Sequence, residues 1–407
     1  MKWLIIEDAL RDRKGHWFEY VRVFRNGLLQ RGDSVTILAS KEAEPFIQHE
    51  LAAKLVLPES IWHQMGDGAR ALKRYWRVPA HAFKTWRSLR RVLRAEADYD
   101  VIFVPTMSVH HLLGWTLLIK GVLRHHRTRV LLYFLSTPIQ LRADGTPEWD
   151  KSPTTRLLGR LLAGLRTEIE SSKVIIGVET GTLQKALSQV AGISVHYLPQ
   201  PVEPVAQVSA ANENTLLFAC YGAARHEKGS DILQAAIARY FQIHPRSRAR
   251  FAIQWIDDFH DEAGRLAAKL PELMQDDRVE FITHYFRDGE YFHRLSQTSV
   301  MLLPYRLSSY QLRGSRVVIE AMINGIPVVA TRGTTLAQQA EEFGAAVFCE
   351  DGNLESLVTA IETAEHNYET LVVTAHRRKA QAIKHFSVEQ FQKMLMAGSP
   401  KPVHETR

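Results

Sequence analysis

The most informative spacing in the chain lies between Tyr305 and Ala330. A polar loop carries Arg313, Gly314, Ser315 and Arg316, then come Glu320 and the run Gly325-Ile326-Pro327-Val328-Val329. An apolar run ends at Pro304, and the periodicity predicts a helix from about Ser315 to Gly325 followed by another strand. At such a helix start the backbone N–H groups of Gly314 and Ser315 sit at the positive end of the helix dipole, an arrangement suited to a diphosphate. Arg313 and Arg316 flank the same point, and Glu320, about one and a half turns further on, can accept hydrogen bonds from a ribose diol. An ordinary strand–helix–strand unit with a capping Ser and a surface Glu reads the same way from local chemistry alone.

A second such place is Tyr221-Gly222-Ala223-Ala224-Arg225-His226-Glu227-Lys228-Gly229, between a strand and a helix. There Arg225 and Lys228 can neutralise charge building on a departing phosphate group.

These segments need a scaffold, and the chain alternates short β-branched runs with longer amphipathic stretches from end to end, the pattern of parallel sheets wrapped by helices. The first series of strands is expected at Trp3–Glu7, Ser34–Ala39, Asp100–Pro105, Arg129–Leu135 and Lys173–Val178. A second series is expected at Thr215–Tyr221, Ala249–Ile256, Val279–Thr283, Val300–Pro304, Pro327–Ala330 and Ala345–Phe348. Between them, Leu198-Pro199-Gln200-Pro201-Val202-Glu203-Pro204 can continue neither a helix nor a central strand, which places an interdomain hinge there. The expected domains are 1–200, 201–375, and a C-terminal helix and tail over 376–407 that lies on the second lobe or crosses back to the first. A ligand cleft between the lobes is expected with them.

At 407 residues, 45% hydrophobic and 23% charged, the chain can bury two cores. Its two cysteines, Cys220 and Cys349, sit in apolar runs, which fits a reducing compartment and argues against a disulfide framework or a structural zinc. The N-terminus turns charged after four apolar residues and reads as a buried strand rather than a signal, and no run is long enough to span a bilayer. The expectation is a cytoplasmic protein.

The formal net charge of +7 is concentrated in Arg70–Arg94, with nine Lys or Arg and the interleaved Tyr75, Trp76, Phe83 and Trp86. Lys84, Arg87, Arg91 and Arg94 share one helical face while Phe83, Trp86, Leu89 and Leu93 lie largely on another. Such a helix suits either an anionic membrane surface or ordinary packing on the lobe. No nucleic-acid motif accompanies it. Asp257-Asp258-Phe259-His260-Asp261 invites a metal reading but is expected to be the acidic N-terminal turn of a helix.

Taken together, the stretch from Ser315 through Glu320, Ala321, Gly325, Pro327, Val328 and Val329 resembles the signature of family-4 glycosyltransferases: a Glu, seven residues, a second Glu, then Ala-x-x-x-Gly-x-Pro-Val. The position of the first Glu is Leu312, and the position of the family's Arg ahead of Lys228-Gly229 is Ala223, with Arg225 two residues further on. The hinge is similar to the family's Pro-Asn-Pro-Val-Asp turn.

The resemblance implies the α/β GT-B fold, two Rossmann-like parallel-sheet domains facing each other across a cleft. It implies transfer from a nucleoside-diphosphate sugar to a hydroxyl acceptor, retaining and metal-independent, without a resident cofactor. Arg225, Lys228 and Glu320 would be catalytic; Gly222, Arg313, Gly314, Ser315, Arg316 and Glu320 would hold the donor. In the first lobe Gly15 occupies the family's glycine-rich turn with His16 beside it, and Gly-x-Gly-x-x-Gly is absent. Where many members carry a His after the fifth strand this chain has Ser136-Thr137-Pro138, so His110 and His111 are the nearest substitutes. Gly15, His16 and His110 are the acceptor-side candidates. A saccharide or lipid-linked saccharide acceptor in polysaccharide synthesis suits the basic aromatic segment. The alternatives are a catalytically silent nucleotide-binding protein that regulates a partner, and a nucleotide-sugar epimerase or phosphorylase on the same scaffold.

Overall fold

The computed structural model describes residues 1–13, 17–58, 60, 71–95, 98–205, 215–261, 263–287 and 289–397. The chain divides into two units, one formed by 1–201 with 388–407 and the other by 202–387.

The first unit is built on β1 (Lys2–Glu7), β2 (Ser34–Ser40), β3 (Lys54–Leu57), β4 (Val101–Val104), β5 (Arg129–Phe134), a small antiparallel hairpin of β6 (Ile139–Leu141) and β7 (Pro147–Trp149), β8 (Val174–Val178) and β9 (His196–Tyr197). Apart from the hairpin these form one parallel seven-stranded sheet in the order β3-β2-β1-β4-β5-β8-β9. Helices cover both faces of such a sheet, so its strands are apolar on both sides, as in the fully buried Val-Ile-Phe-Val of β4. β3, the hairpin and the two-residue β9 were not expected from the sequence.

The second unit carries β10 (Leu217–Cys220), β11 (Arg250–Gln254), a two-residue hairpin of β12 (Phe259–His260) and β13 (Leu266–Ala267), β14 (Val279–Ile282), β15 (Val300–Leu303), β16 (Val328–Thr331) and β17 (Ala346–Cys349). Its main sheet is parallel, six-stranded, in the order β14-β11-β10-β15-β16-β17. The acidic cluster at 257–261 begins this hairpin instead of a helix. Asp258 accepts the indole N–H of Trp255, Asp261 accepts the backbone N–H of Arg265, and Gly264 takes the left-handed turn at φ 75°.

The C-terminal stretch is two helices, Tyr368–His385 and Val388–Ala397, with the break at Phe386-Ser387. The second of them belongs to the first unit, where Phe391 meets Phe24 at 4.7 Å and Phe103 at 5.7 Å between ring centroids. Gly27 makes room for it, since a Cβ there would lie 2.6 Å from Val388 Cγ2. At the boundary of the second unit the two chain crossings run side by side, with Val202 N–H donating to Phe386 O at 2.9 Å.

Each main sheet has one point where the chain reverses its direction of winding, between β1 and β4 in the first and between β10 and β15 in the second. Loops leaving such neighbours diverge above and below the sheet and open a crevice at the carboxyl ends of the strands, the usual ligand position in open α/β sheets.

Candidate functional site

At the winding reversal of the second unit the loops that leave β10 and β15 meet. After β10 the chain passes Tyr221 and Gly222, whose φ of 94° favours glycine. The Gly222 N–H donates to Gln254 Oε1 at 2.6 Å, and Gln254 Nε2 in turn donates to His284 O at 2.9 Å. The Gly222 amide is therefore committed within the protein. Its bare Cα matters instead, because a Cβ there would collide with Lys228 Nζ. Lys228 closes the short 3-10 turn His226–Lys228, and Gly229, at φ 65°, presses against Pro304 O at the end of β15, where a Cβ would not fit.

The Lys228 ammonium lies 6.0 Å from the ring centroid of Tyr305. Burial pushes its pKa down to about 8, with the positive charges of Arg225 and Arg313 adding to the effect against Glu227. Glu227 Oε1 sits 3.6 Å from Arg225 Nη1 and 3.4 Å from Arg313 Nη1, so one carboxylate draws both guanidinium groups to the same place. The Arg306 N–H donates to Glu227 O at 2.9 Å and joins the two loops. Two guanidinium groups thus converge on a single carboxylate, with the buried Lys228 ammonium within electrostatic reach of all three, and both guanidinium groups are more than a third exposed. An anion with several oxygens satisfies that arrangement.

Beside them the helix Arg316–Asn324 begins. Ser315 is extended and its side chain does not cap the first turn, so the hydroxyl leaves the orphan N–H groups of the helix start to other acceptors. Thr335 Oγ1 donates to Arg313 O and holds the approach to the helix. Arg316 opens this helix, and its side chain turns inward. It is buried and donates through Nε to Glu320 Oε1 at 2.8 Å, while the Tyr291 hydroxyl donates to Glu320 Oε2. Glu320 thus has both oxygens engaged, yet a carboxylate offers about four lone-pair positions and retains capacity for further donors. Arg316 Nη1 is buried with no hydrogen-bond partner among the described residues, a donor in want of an acceptor.

In the first unit, Gly15 and His16 lie outside the described residues. His110 is half-buried in the first turn of the helix Val109–Lys120, whereas His111 turns into the interior and meets Asp8 Oδ2 at 3.0 Å. His81, from the helix Ala71–Ala95, reaches the same oxygen at 3.4 Å. Burial works against the Asp8 charge, but the two imidazoles outweigh it and lower its pKa.

Sequence reasoning missed Gln254, Tyr291, Asp8 and His81. Asp8 carried a signal, being a carboxylate at the carboxyl end of a strand beside a winding reversal. Tyr291 carried none, since its helix reads as an ordinary surface element until Glu320 is placed beside it.

The basic helix Ala71–Ala95 buries Leu89 and Leu93, and leaves Lys84, Arg87, Arg91 and Arg94 exposed. Phe83 is 55% exposed, its ring 5.7 Å from that of Trp86, over which Arg90 stacks at 4.9 Å. The aromatic face is thus split, with the leucines in the core and Phe83 at the surface among cations. Among the described residues no helix is long and apolar enough to cross a membrane.

Residues 202–384, nearly the whole second unit, match the family model described as glycosyl transferases group 1. No curated protein matches the chain by sequence. Among solved structures it is similar to sucrose-phosphate synthase from Thermosynechococcus elongatus, at 16% identity, 98% of each chain covered and a TM-score of 0.62. It is similar to the Anabaena protein HepE in complex with UDP-glucose, at 13% identity, 98% of each chain and a TM-score of 0.62. A glycosyltransferase from Rickettsia africae aligns at 9% identity over 97% of each chain with a TM-score of 0.66. Such likeness establishes the fold, and with two parallel α/β sheets the chain has the GT-B fold.

Proposed function

We propose that this chain, whose residues 202–384 match the group 1 glycosyl transferases, moves a glycosyl group from a nucleoside-diphosphate sugar to a hydroxyl acceptor with retention of anomeric configuration. The observation that carries the reading is the convergence of Arg225 and Arg313 on Glu227, with the buried Lys228 within electrostatic reach, beside the uncapped start of the helix Arg316–Asn324. As the sugar–phosphate bond breaks, charge accumulates on the diphosphate, and cations already in place stabilise that charge more in the transition state than in the ground state. Three cations and the helix dipole provide this without a metal ion. Glu320 accepts from the donor ribose, held in orientation by Arg316 and Tyr291. A uridine diphosphate sugar is the first donor to try, given the ligand of the Anabaena relative.

The acceptor side falls to the first unit, with Gly15, His16 and His110 in contact with it. Exposed Lys84, Arg87 and Arg91 beside Phe83 favour an acceptor at an anionic membrane surface on the cytoplasmic face, such as a lipid-linked saccharide in polysaccharide assembly. A second reading, nucleotide binding without turnover, draws on Leu312 at the position of the family's first carboxylate. Purified protein incubated with a panel of nucleotide sugars separates the two. Slow hydrolysis of one donor, lost in Lys228→Ala, supports transfer; donor binding with no turnover under any acceptor supports the second reading and overturns the first.

A further inference from the structure

We propose that Asp8, His81 and His111 form a binding site for one divalent transition-metal ion, Zn²⁺ foremost, in the first unit. All three side chains are buried, and Asp8 Oδ2 and the ligand nitrogens of the two imidazoles lie within 4.8 Å of one another. The closest pairs measure 3.0 Å (His111 Nε2 to Asp8 Oδ2) and 3.4 Å (His81 Nε2 to the same oxygen). Two donors bound at about 2.0–2.1 Å to a tetrahedral ion stand about 3.3 Å apart, so small shifts seat the ion between them. The rings are steeply inclined, at 80° with centroids 5.2 Å apart, and do not stack on each other.

The fold holds these ligands firmly. Asp8 follows β1 directly, at the point where the first sheet reverses its winding. His111 lies in the first turn of the helix after β4, and its Nδ1 is 2.9 Å from Ser108 Oγ, the outer hydrogen bond that fixes a ligand imidazole and leaves Nε2 for the metal. His81 comes from a helix that packs closely on the one bearing His111. Gly114 permits that approach, because a Cβ there would lie 2.9 Å from Ala82 O.

A second observation points the same way. A small cavity of about 10 Å³, room for one water, is lined by Glu7, Asp8, Thr85, Thr106 and His111. Glu7 accepts the Ala9 N–H through Oε1 and interacts with the Thr106 hydroxyl, while its buried Oε2 makes no well-formed hydrogen bond among the described residues. A metal-bound water in the fourth position would occupy that cavity, with Glu7 as its natural acceptor. Two imidazoles and one carboxylate select Zn²⁺ and its first-row neighbours over Mg²⁺ and Ca²⁺, which take oxygen ligands. The ion would tie the end of β1 to two helices and add its binding energy to the stability of the first unit. The inference is independent of the transfer chemistry proposed for Arg225 and Lys228.

The test uses untagged full-length protein, stripped with chelator and titrated with Zn²⁺ against a chromogenic competitor, then with Co²⁺ in the spectrometer. The site predicts one equivalent of Zn²⁺, visible bands of four-coordinate Co²⁺, and a melting temperature several degrees higher in the loaded form. Asp8→Asn and His81→Gln, each close in shape to the original residue, should weaken Zn²⁺ binding at least a hundredfold and remove the thermal shift. Failure of the native protein to bind Zn²⁺ or Co²⁺ would leave a carboxylate hydrogen-bonded by two imidazoles and overturn the proposal, whatever the variants do. So would one equivalent bound equally well by both variants.

Discussion

Arg316 and Glu320 form a buried i, i+4 ion pair within the first turns of the helix that begins at the candidate diphosphate site, with Nε and Oε1 2.8 Å apart. The pair joins two functions that the sequence had assigned separately, since the arginine orients the carboxylate proposed to hold the ribose. Replacing Arg316 with Met leaves that carboxylate buried without its cation, at a cost of about 3–5 kcal/mol. Glu320→Gln keeps a hydrogen-bonding group beside Tyr291 and Arg316 and should cost less. Urea unfolding of the two variants measures the difference, and equal losses would mean that the pair is not the unit of stability.

Lys228 gives donor binding a characteristic pH profile. Burial pushes its pKa in the free protein down to about 8, so it is charged below that pH and neutral above it. A diphosphate binds the charged form. Affinity should therefore hold below pH 7 and fall as pH rises through 8, by up to about tenfold per pH unit above it. Lys228→Arg keeps its charge throughout and should flatten the profile, even where the longer side chain weakens binding overall. Calorimetry with a nucleoside diphosphate from pH 6.5 to 9.5 reads both curves.

Gly229 is required for two reasons, its left-handed backbone and its contact with Pro304 O. Gly229→Ala should cost more than the ~1–2 kcal/mol of the backbone term alone, because the Cβ must displace the end of β15. The displacement moves Lys228 as well, so donor KM should rise along with the loss in melting temperature. Gly32 provides the control. It is also left-handed, at φ 80°, but its Cβ would meet nothing within 4 Å, so Gly32→Ala should show only the backbone term.

The exposed cations of the helix Ala71–Ala95 test the membrane reading. Each basic residue near an anionic surface contributes about 1 kcal/mol. Reversing Arg87 and Arg91 to Glu should reduce sedimentation with anionic liposomes by tenfold or more and leave turnover of a water-soluble acceptor unchanged. Unaltered lipid binding would assign this helix to ordinary surface packing.

Much of the architecture was legible because parallel strands are buried on both faces and so appear as apolar runs such as Val101–Val104 and Val300–Leu303. The prolines of Leu198–Pro204 interrupt helix and strand periodicity, and the contact division between the two units falls at 201/202. Less legible were pairings that depend on partners distant in sequence. The sequence named Arg316 and Glu320 without pairing them, and nothing in it places Tyr291 against Glu320. Asp8, His81 and His111 are brought together only by the sheet order and by the helix contact at Gly114, so no local spacing announces them. The acidic run at 257–261 misled because Asp261 serves a hairpin turn, a role Asp takes by accepting from the backbone.

The proposed function requires the cations after β10 and β15 to bind a nucleoside diphosphate, which isothermal calorimetry with UDP, GDP, ADP and TDP at pH 7 reads out. Saturable heat is expected with at least one of the four, and a loss of roughly 10–100-fold in affinity on Lys228→Ala, as for a charged hydrogen bond worth about 1.5–3 kcal/mol. Absence of binding by all four, or equal affinity in the native protein and Lys228→Ala, would contradict it.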